Sequence, residues 1–254
     1  MKLARDTWLT FQYEAGLLIR NPASIAITLI QPIAYLALFT PFLKAVMITH
    51  GVHSYGDAYQ VYVPSLFTAM GLFSGLFAGF ALLAAMRQGV ITRFRVTPLS
   101  RVGLLLGREL MYVLLIGFQA VVVTVVATLF GLRVQIGDML FALVLLGLMV
   151  LVSVSISYIL ALLVPNENSL VTLINAASQP LSLLAGVLIP LSVAPLWIRD
   201  VSLWNPFAWG ADSMRAVIQG HSGTQVVWQA SIILVVVAAV AVVSSSRLFS
   251  REVA

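Results

Sequence analysis

The chain has 254 residues, of which 61% are hydrophobic and only 9% are charged, and its formal net charge at pH 7 is +5. In a soluble globular domain about a quarter of the residues are charged, so this composition excludes that class. The chain has no Cys, which excludes disulfides, iron–sulfur clusters and thiolate metal sites. No nucleic-acid partner is expected, because no basic patch with interleaved aromatic residues occurs outside the loops.

Long uncharged apolar runs recur along the whole chain, and they predict an all-α membrane protein with one transmembrane domain over residues 1–254. An N-terminal interfacial helix is expected over residues 1–22, and a short extracytoplasmic helical insert over residues 192–225, before the last span. Six transmembrane helices are predicted, over residues 24–43, 61–85, 110–132, 139–164, 169–191 and 226–243.

The first segment, residues 1–22, has the pattern of an amphipathic helix. Polar and charged residues lie outside one apolar arc, so the helix suits the membrane interface, and Asn21-Pro22 is expected to end it. At helical spacing the apolar arc contains Ala4, Trp8, Phe11, Ala15 and Leu18.

Spans one and five each place a glutamine before a proline, as Gln31-Pro32 and Gln179-Pro180. Such an amide can pair the backbone groups that the proline frees, which is a purely structural role. The functional alternative is a translocation path whose aromatic wall includes Tyr35. A third possibility is that Pro32 and Pro180 break their spans, as in sodium-coupled transporters. The candidate path residues are Gln31, Tyr35, Phe39, Asn175 and Gln179.

Span two carries Gly71, Gly75 and Gly79 at a strict four-residue spacing. These glycines fall on one helix face and allow a second helix to approach closely. The pattern indicates helix packing, either within the chain or in a dimer, and says nothing about chemistry.

The segment 87–108 is basic and has no acidic residue, and it lies between two apolar runs. It is long enough to hold a short helix that a soluble protein could bind. The side with the N-terminus, this segment, the 165–168 turn and the C-terminal tail holds ten of the fourteen Lys and Arg residues, which predicts that both termini are cytoplasmic. The arginines of the segment are Arg87, Arg93, Arg95, Arg101 and Arg108.

The insert 192–225 contains three of the five tryptophans, as expected at a membrane interface. Asn205 can cap a helix, Pro206 can open it and Gly220 can close it. That helix is too short to cross a hydrocarbon core of about 30 Å, so we expect it to dip into the outer leaflet or lie on it. Asp212 and Arg215 are expected to pair across one helical turn.

The sequence contains no recognisable catalytic motif. It lacks a P-loop, an H-E-x-x-H or G-x-S-x-G motif and a carboxylate cluster, so neither a catalytic residue nor a bound cofactor is predicted. No metal site is expected either, because His50 and His53 have no further ligands nearby. Charged residues are expected only in loops or at span ends, with Glu109 and Asp138 at the borders, which disfavours proton coupling. A stand-alone secondary transporter or channel remains the alternative to a chain driven by a partner.

Two stretches resemble the ABC-2 type exporter permeases of the daunorubicin-resistance and nodulation-export kind. One is RFRVTPLSRVGLLLGREL in the basic segment, and the other is LIPLSVAPLWIRDVSLWNPFAWGADSMRAVIQG before the last span. The resemblance covers the full length. It implies two permease copies and two separate ATPase subunits that bind ATP and magnesium, in the bacterial inner membrane.

The resemblance also implies roles for particular residues. A short coupling helix around residues 97–105 would dock on the ATPase, and spans one, two and five would approach the dimer axis. The transported compound would be a lipophilic drug or a lipid, with glycan export as the alternative within the family. The implied ATPase contacts are Arg93, Arg95, Thr97, Pro98, Leu99, Ser100 and Arg101.

Overall fold

The computed structural model describes residues 2–46, 53–88, 100–164, 166–187, 191 and 194–252. In these ranges the regular elements are helices, so the predicted all-α class is confirmed. The helices are α1 (Lys2–Ile19), α2 (Pro22–Val46), α3 (Tyr55–Arg87), α4 (Arg101–Leu129), α5 (Ile136–Leu163), α6 (Glu167–Leu184), α7 (Leu196–Ser202), α8 (Pro206–Ile218) and α9 (Gln225–Glu252).

Within the described residues, five helices are long and apolar enough to cross a membrane: α2, α3, α4, α5 and α9. The predicted fifth span, 169–191, corresponds to α6, which is shorter and more polar than the others. Gly186 ends this helix, with a φ of 65° that favours glycine. The Gly186 N–H donates to Leu183 O and the Val187 N–H to Ser182 O, so a Schellman motif closes α6. A total of six spans remains a prediction.

Helix α3 lies at the centre of the bundle. It packs against α5, α9 also packs on α5, and α8 contacts α3, α5 and α9. α1 packs on α4, and both α2 and α6 pack on α3. The four largest fully buried side chains among the described residues come from four different helices, and they are Phe67, Tyr158, Phe207 and Phe249.

At three places the helices extend beyond the predicted membrane spans. α4 begins at Arg101, directly after its N-cap Ser100, so residues 101–108 form its first two turns. α9 continues through the expected tail to Glu252. α2 begins at Pro22, where the Asn21 side chain accepts a hydrogen bond from the Ser24 N–H at 3.3 Å. A proline in the first turn costs no hydrogen bond.

The possibility that prolines break spans one and five is not realised. α2 runs unbroken through Pro32 and Pro41, and α6 runs unbroken through Pro180. The predicted capping of α8 is confirmed, since the Asn205 side chain accepts from the Phe207 N–H at 3.1 Å. Gly220, with a φ of 82°, follows the end of that helix as predicted.

Candidate functional site

The basic connection between α3 and α4 is anchored at its C-terminal end. The Ser100 side chain accepts from the Gly103 N–H at 3.0 Å, which caps α4. The Ser100 N–H itself donates to Asp6 Oδ2 of α1 at 2.8 Å, a hydrogen bond strengthened by the carboxylate charge. Of the predicted ATPase contacts, Ser100 and Arg101 are therefore fixed to the bundle. Those that lie outside the described residues are Arg93, Arg95, Thr97, Pro98 and Leu99.

Helix α1 can lie this close to α4 because α4 presents two glycines. A Cβ atom at Gly103 would lie 2.9 Å from the Asp6 Cβ, and one at Gly107 would lie 2.6 Å from the Thr10 Cβ. Asp6 and Thr10 are buried in this contact, whereas Trp8 is 57% exposed. Two polar residues of α1 thus face the protein, while several of its large apolar side chains face outward. The four-residue spacing of Gly103 and Gly107 is the sequence signal that indicates this close contact.

Two further contacts join the termini of different helices on this side of the bundle. Arg101 Nη1 donates to the Ser250 carbonyl of α9 at 3.1 Å. Arg87, at the end of α3, lies 3.6 Å from Glu167 at the start of α6. Both side chains of that ion pair are about half exposed, so the pair contributes little to stability. It does show that the end of α3 lies beside the start of α6. The segments brought together here are those that the charge count assigned to one side of the membrane.

Glu109 is the charged residue that was predicted at the border of span three. It lies in the third turn of α4 and is fully buried. Its Oε1 accepts from Ser155 Oγ of α5 at 3.0 Å and from Ser245 Oγ of α9 at 3.2 Å. Within the described residues its Oε2 has no partner. This carboxyl group therefore joins three helices near the basic end.

The glycines of span two face α5 of the same chain. Ser153 Oγ donates to the Gly71 carbonyl at 2.5 Å, and the Gly79 N–H donates to Ser157 Oγ at 2.8 Å. A Cβ at Gly75 would lie 2.6 Å from the Ser153 Cβ. These contacts occupy the glycine face, so it is closed to a second copy of the chain along this stretch.

The candidate path residues lie on α2 and α6. Gln31, Tyr35, Asn175 and Gln179 are exposed and Phe39 is half-buried. Phe39 stacks on Tyr62 of α3 with ring centroids 5.5 Å apart, and Tyr35 meets Phe39 edge-on at 5.9 Å. The structure therefore assembles an aromatic ladder between α2 and α3. It leaves the amides of both helices on the surface of the single chain.

At the opposite end, α8 is fixed inside the bundle. Arg215 Nη1 lies 2.7 Å from Asp212, confirming the predicted pair, and Arg215 Nη2 donates to Ser65 of α3 and to the Gly186 carbonyl. Burial lowers the pKa of the Arg215 guanidinium, and the Asp212 carboxylate opposes that change. Asn205 Nδ2 also donates to the Leu181 carbonyl of α6 at 2.9 Å.

These helices match a known type of membrane protein. The family described as ABC-2 type transporter matches residues 5–218. The chain belongs to the ABC-2 type transporter family. A similar protein is "Putative transport permease ycf38" of Cyanophora paradoxa, which is 24% identical over 206 residues, covering 80% of this chain and 70% of that protein.

Membership of the ABC-2 family confirms the resemblance found in the sequence. ABC-2 chains are the transmembrane components of their transporters and are not themselves the ATPase, so this chain is a multi-pass membrane permease. The ABC-2 match spans α1 to α8, which includes the basic connection, the glycine face and the capped helix α8.

Proposed function

We propose that this ABC-2 chain is the permease subunit of an ATP-driven exporter in the bacterial inner membrane, with both termini in the cytoplasm. Two copies would form the translocation path, and two separate ATPase subunits would bind ATP and magnesium. The observation that carries the proposal is how the basic connection is held: its described end caps α4 through Gly103 and is tied to two other helices, to α1 through Asp6 and to α9 through Ser250.

The arrangement supports transmission of force from a soluble partner. A load on the 89–99 segment reaches Ser100 and Arg101, whose hydrogen bonds lead to α1 and α9. From the same end, Glu109 links α4 to α5 and α9 through buried serine hydroxyls. Because packed helices move as discrete units, a push on the connection would shift α1 and α4 together.

The exposed side chains of α2 and α6 support a translocation path. Amide groups such as Gln31 and Gln179 are costly against lipid tails unless water, substrate or a second chain covers them. Tyr35 and Phe39 add an apolar wall. This combination favours a lipophilic drug or lipid with a few polar groups. Glycan export is the alternative, and comparing a lipophilic dye with a lipid-linked sugar in vesicles distinguishes the two.

The central test uses the chain with its ATPase in proteoliposomes. We expect Arg95→Glu to abolish ATP-driven transport while membrane insertion and thermal stability stay normal. Arg133→Glu is the control, because Arg133 is an exposed arginine at the opposite end of the bundle. Survival of both ATPase co-purification and transport in Arg95→Glu would place the docking site elsewhere.

Orientation can be measured directly because the natural chain has no Cys. Single cysteines at Arg247 and Arg133 should react from opposite sides of the membrane with an impermeant maleimide. Labelling of the Arg247 site in intact cells, without permeabilisation, would contradict cytoplasmic termini.

Glu109 supports a second candidate, a transporter that works alone. A buried carboxyl group with a free oxygen is a group that proton-coupled carriers use. Transport by the purified chain, driven by an ion gradient without ATP and lost in Glu109→Gln, would establish that alternative. The unbroken helices at Pro32 and Pro180 argue against sodium sites at helix breaks.

A further inference from the structure

A cavity of about 370 Å³ lies where α1 meets α3, α4 and α5. It is in the size range of about 300–1,000 Å³ that holds small molecules. Asn21 and Ser24, at the turn between α1 and α2, line one part of it. The cavity therefore lies beside the start of the first span, and its lining does not include the candidate path amides Gln31, Asn175 and Gln179.

Two opposite charges lie together in the wall of this cavity. Arg108 Nε donates to Glu14 Oε1 at 2.8 Å, and the two side chains are 13% and 22% exposed. Among the described residues, that contact uses one guanidinium nitrogen and one carboxylate oxygen. In the part of the chain that the structure describes, both Nη atoms of Arg108 and Oε2 of Glu14 are therefore available for a ligand that offers an anion and a hydrogen-bonding cation.

The rest of the lining is amphipathic. Tyr112 and Tyr158 contribute phenol groups, and Tyr158 is otherwise buried. Leu17, Met111 and Leu115 provide an apolar wall. A ligand that matches both parts has a charged head and a hydrocarbon body.

We propose that this cavity binds the headgroup of a phospholipid that carries both a phosphodiester and a primary ammonium, as phosphatidylethanolamine does. The phosphate accepts from the free Nη atoms of Arg108, and the ammonium donates to Glu14 Oε2. Each buried charge then has two opposite neighbours, which offsets the cost of removing it from water. The first carbons of the acyl chains follow Leu17 and Leu115.

The charge pair selects this headgroup over the other common ones. An anionic headgroup such as phosphatidylglycerol brings one net negative charge next to Glu14 and no cation to pair with it. A choline headgroup has no N–H to donate to the carboxylate. This inference depends only on the chain residing in a membrane, so it stands or falls independently of the proposed ATP-driven transport.

The test is lipid retention by the full-length chain in detergent, measured by native mass spectrometry. Phosphatidylethanolamine, phosphatidylcholine and phosphatidylglycerol of equal chain length are added at equal concentrations. We expect at least tenfold tighter binding of phosphatidylethanolamine than of the other two. Water-soluble glycerophosphoethanolamine should compete at least tenfold more weakly, because it lacks the apolar part.

Variants locate the binding to the cavity. Glu14→Gln and Arg108→Gln should each remove the preference for phosphatidylethanolamine. Because these changes also affect the contact between α1 and α4, Ala81→Trp is the second test: Ala81 is an exposed lining residue of α3, and tryptophan there fills the cavity while both charges remain. Ala239→Trp, at an exposed position of α9 outside the cavity lining, is the matched control.

Three results would overturn the proposal. Equal retention of the three lipids would show that the cavity does not select between headgroups. Equal competition by glycerophosphoethanolamine or inorganic phosphate would indicate a soluble phosphate site. Unchanged retention in Ala81→Trp would place the lipid elsewhere.

Discussion

Two regions of the molecule differ in the side chains that form them. The first is the contact between α3 and α5, and the second is the outward faces of α2 and α6. Along the first, glycines of α3 meet Ser153 and Ser157, which are fully buried and hydrogen-bonded across the contact. Along the second, large apolar side chains and amides stand exposed, and Leu38 is 71% exposed. Lipid tails are as apolar as leucine, so small residues and hydrogen bonds hold membrane helices together where bulk apolar surface does not.

The difference separates a fixed unit from surfaces that can change partners. The α3–α5 contact leaves no room for another group, so these helices move together. The faces of α2 and α6 can be covered by lipid, by substrate or by a second copy of the chain. We therefore expect substitutions in the first region to affect folding and those in the second to affect transport.

The largest effect is expected for Gly79→Val. Its Cβ would lie 2.6 Å from the Ser157 carbonyl oxygen, which belongs to helix backbone and cannot move aside. Overpacking of this kind costs about 3 kcal/mol or more of unfolding free energy. The measurement is the yield of monodisperse protein in detergent together with denaturant unfolding. Gly117→Val of α4 is the control, since no atom lies within 4 Å of its added Cβ. Equal behaviour of the two variants would refute the close contact.

A smaller loss is expected for Glu109→Ala, which removes the acceptor of the Ser155 hydroxyl and one of the two acceptors of the Ser245 hydroxyl. Removing one partner of a buried hydrogen-bond network costs about 1–3 kcal/mol. Glu109→Gln keeps an acceptor oxygen and should cost less. A double-mutant cycle with Ser245→Ala should show coupling between the two sites. Additive effects would mean that the carboxyl group does not join α4 to α9.

Asp6→Ala tests the contact of α1 with the start of α4. Loss of the charge-assisted bond to the Ser100 N–H should cost about 1–2 kcal/mol. Hydrogen exchange at residues 100–104 should become faster, because that N–H loses its acceptor and the first turn opens more often. Asp6→Asn, which retains a side-chain oxygen, is the control. Unchanged exchange in Asp6→Ala would show that α1 does not hold this turn.

Gln179→Ala should change stability least, within about 0.5 kcal/mol, because the side chain is exposed on α6. We expect it to alter the rate or the substrate preference of transport in proteoliposomes. Gln225→Ala, an exposed glutamine at the start of α9, serves as the matched control. A large loss of stability with normal transport would contradict the distinction between the two regions.

Local features of the fold could be predicted because their causes lie within a few residues. Asn205, Pro206 and Gly220 bounded α8 correctly, since capping and a positive φ depend on neighbouring backbone atoms. The start of α4 at Arg101 and the end of α9 at Glu252 lie outside the predicted spans, because hydropathy marks where a helix is apolar and not where its hydrogen bonds end.

The sequence by itself determined that this is a helical membrane protein of the ABC-2 type, through its long apolar runs, its basic connection and its family-like motifs. Only the tertiary structure decided which partners those helices have. Glu109 meets Ser245 across 136 positions of the chain, and Gly79 meets Ser157 across 78. Periodicity shows that a residue lies on a face, but which helix covers that face depends on how the whole bundle packs. That is why the buried carboxyl group, the serine partners of the glycines and the Glu14–Arg108 cavity were not foreseen.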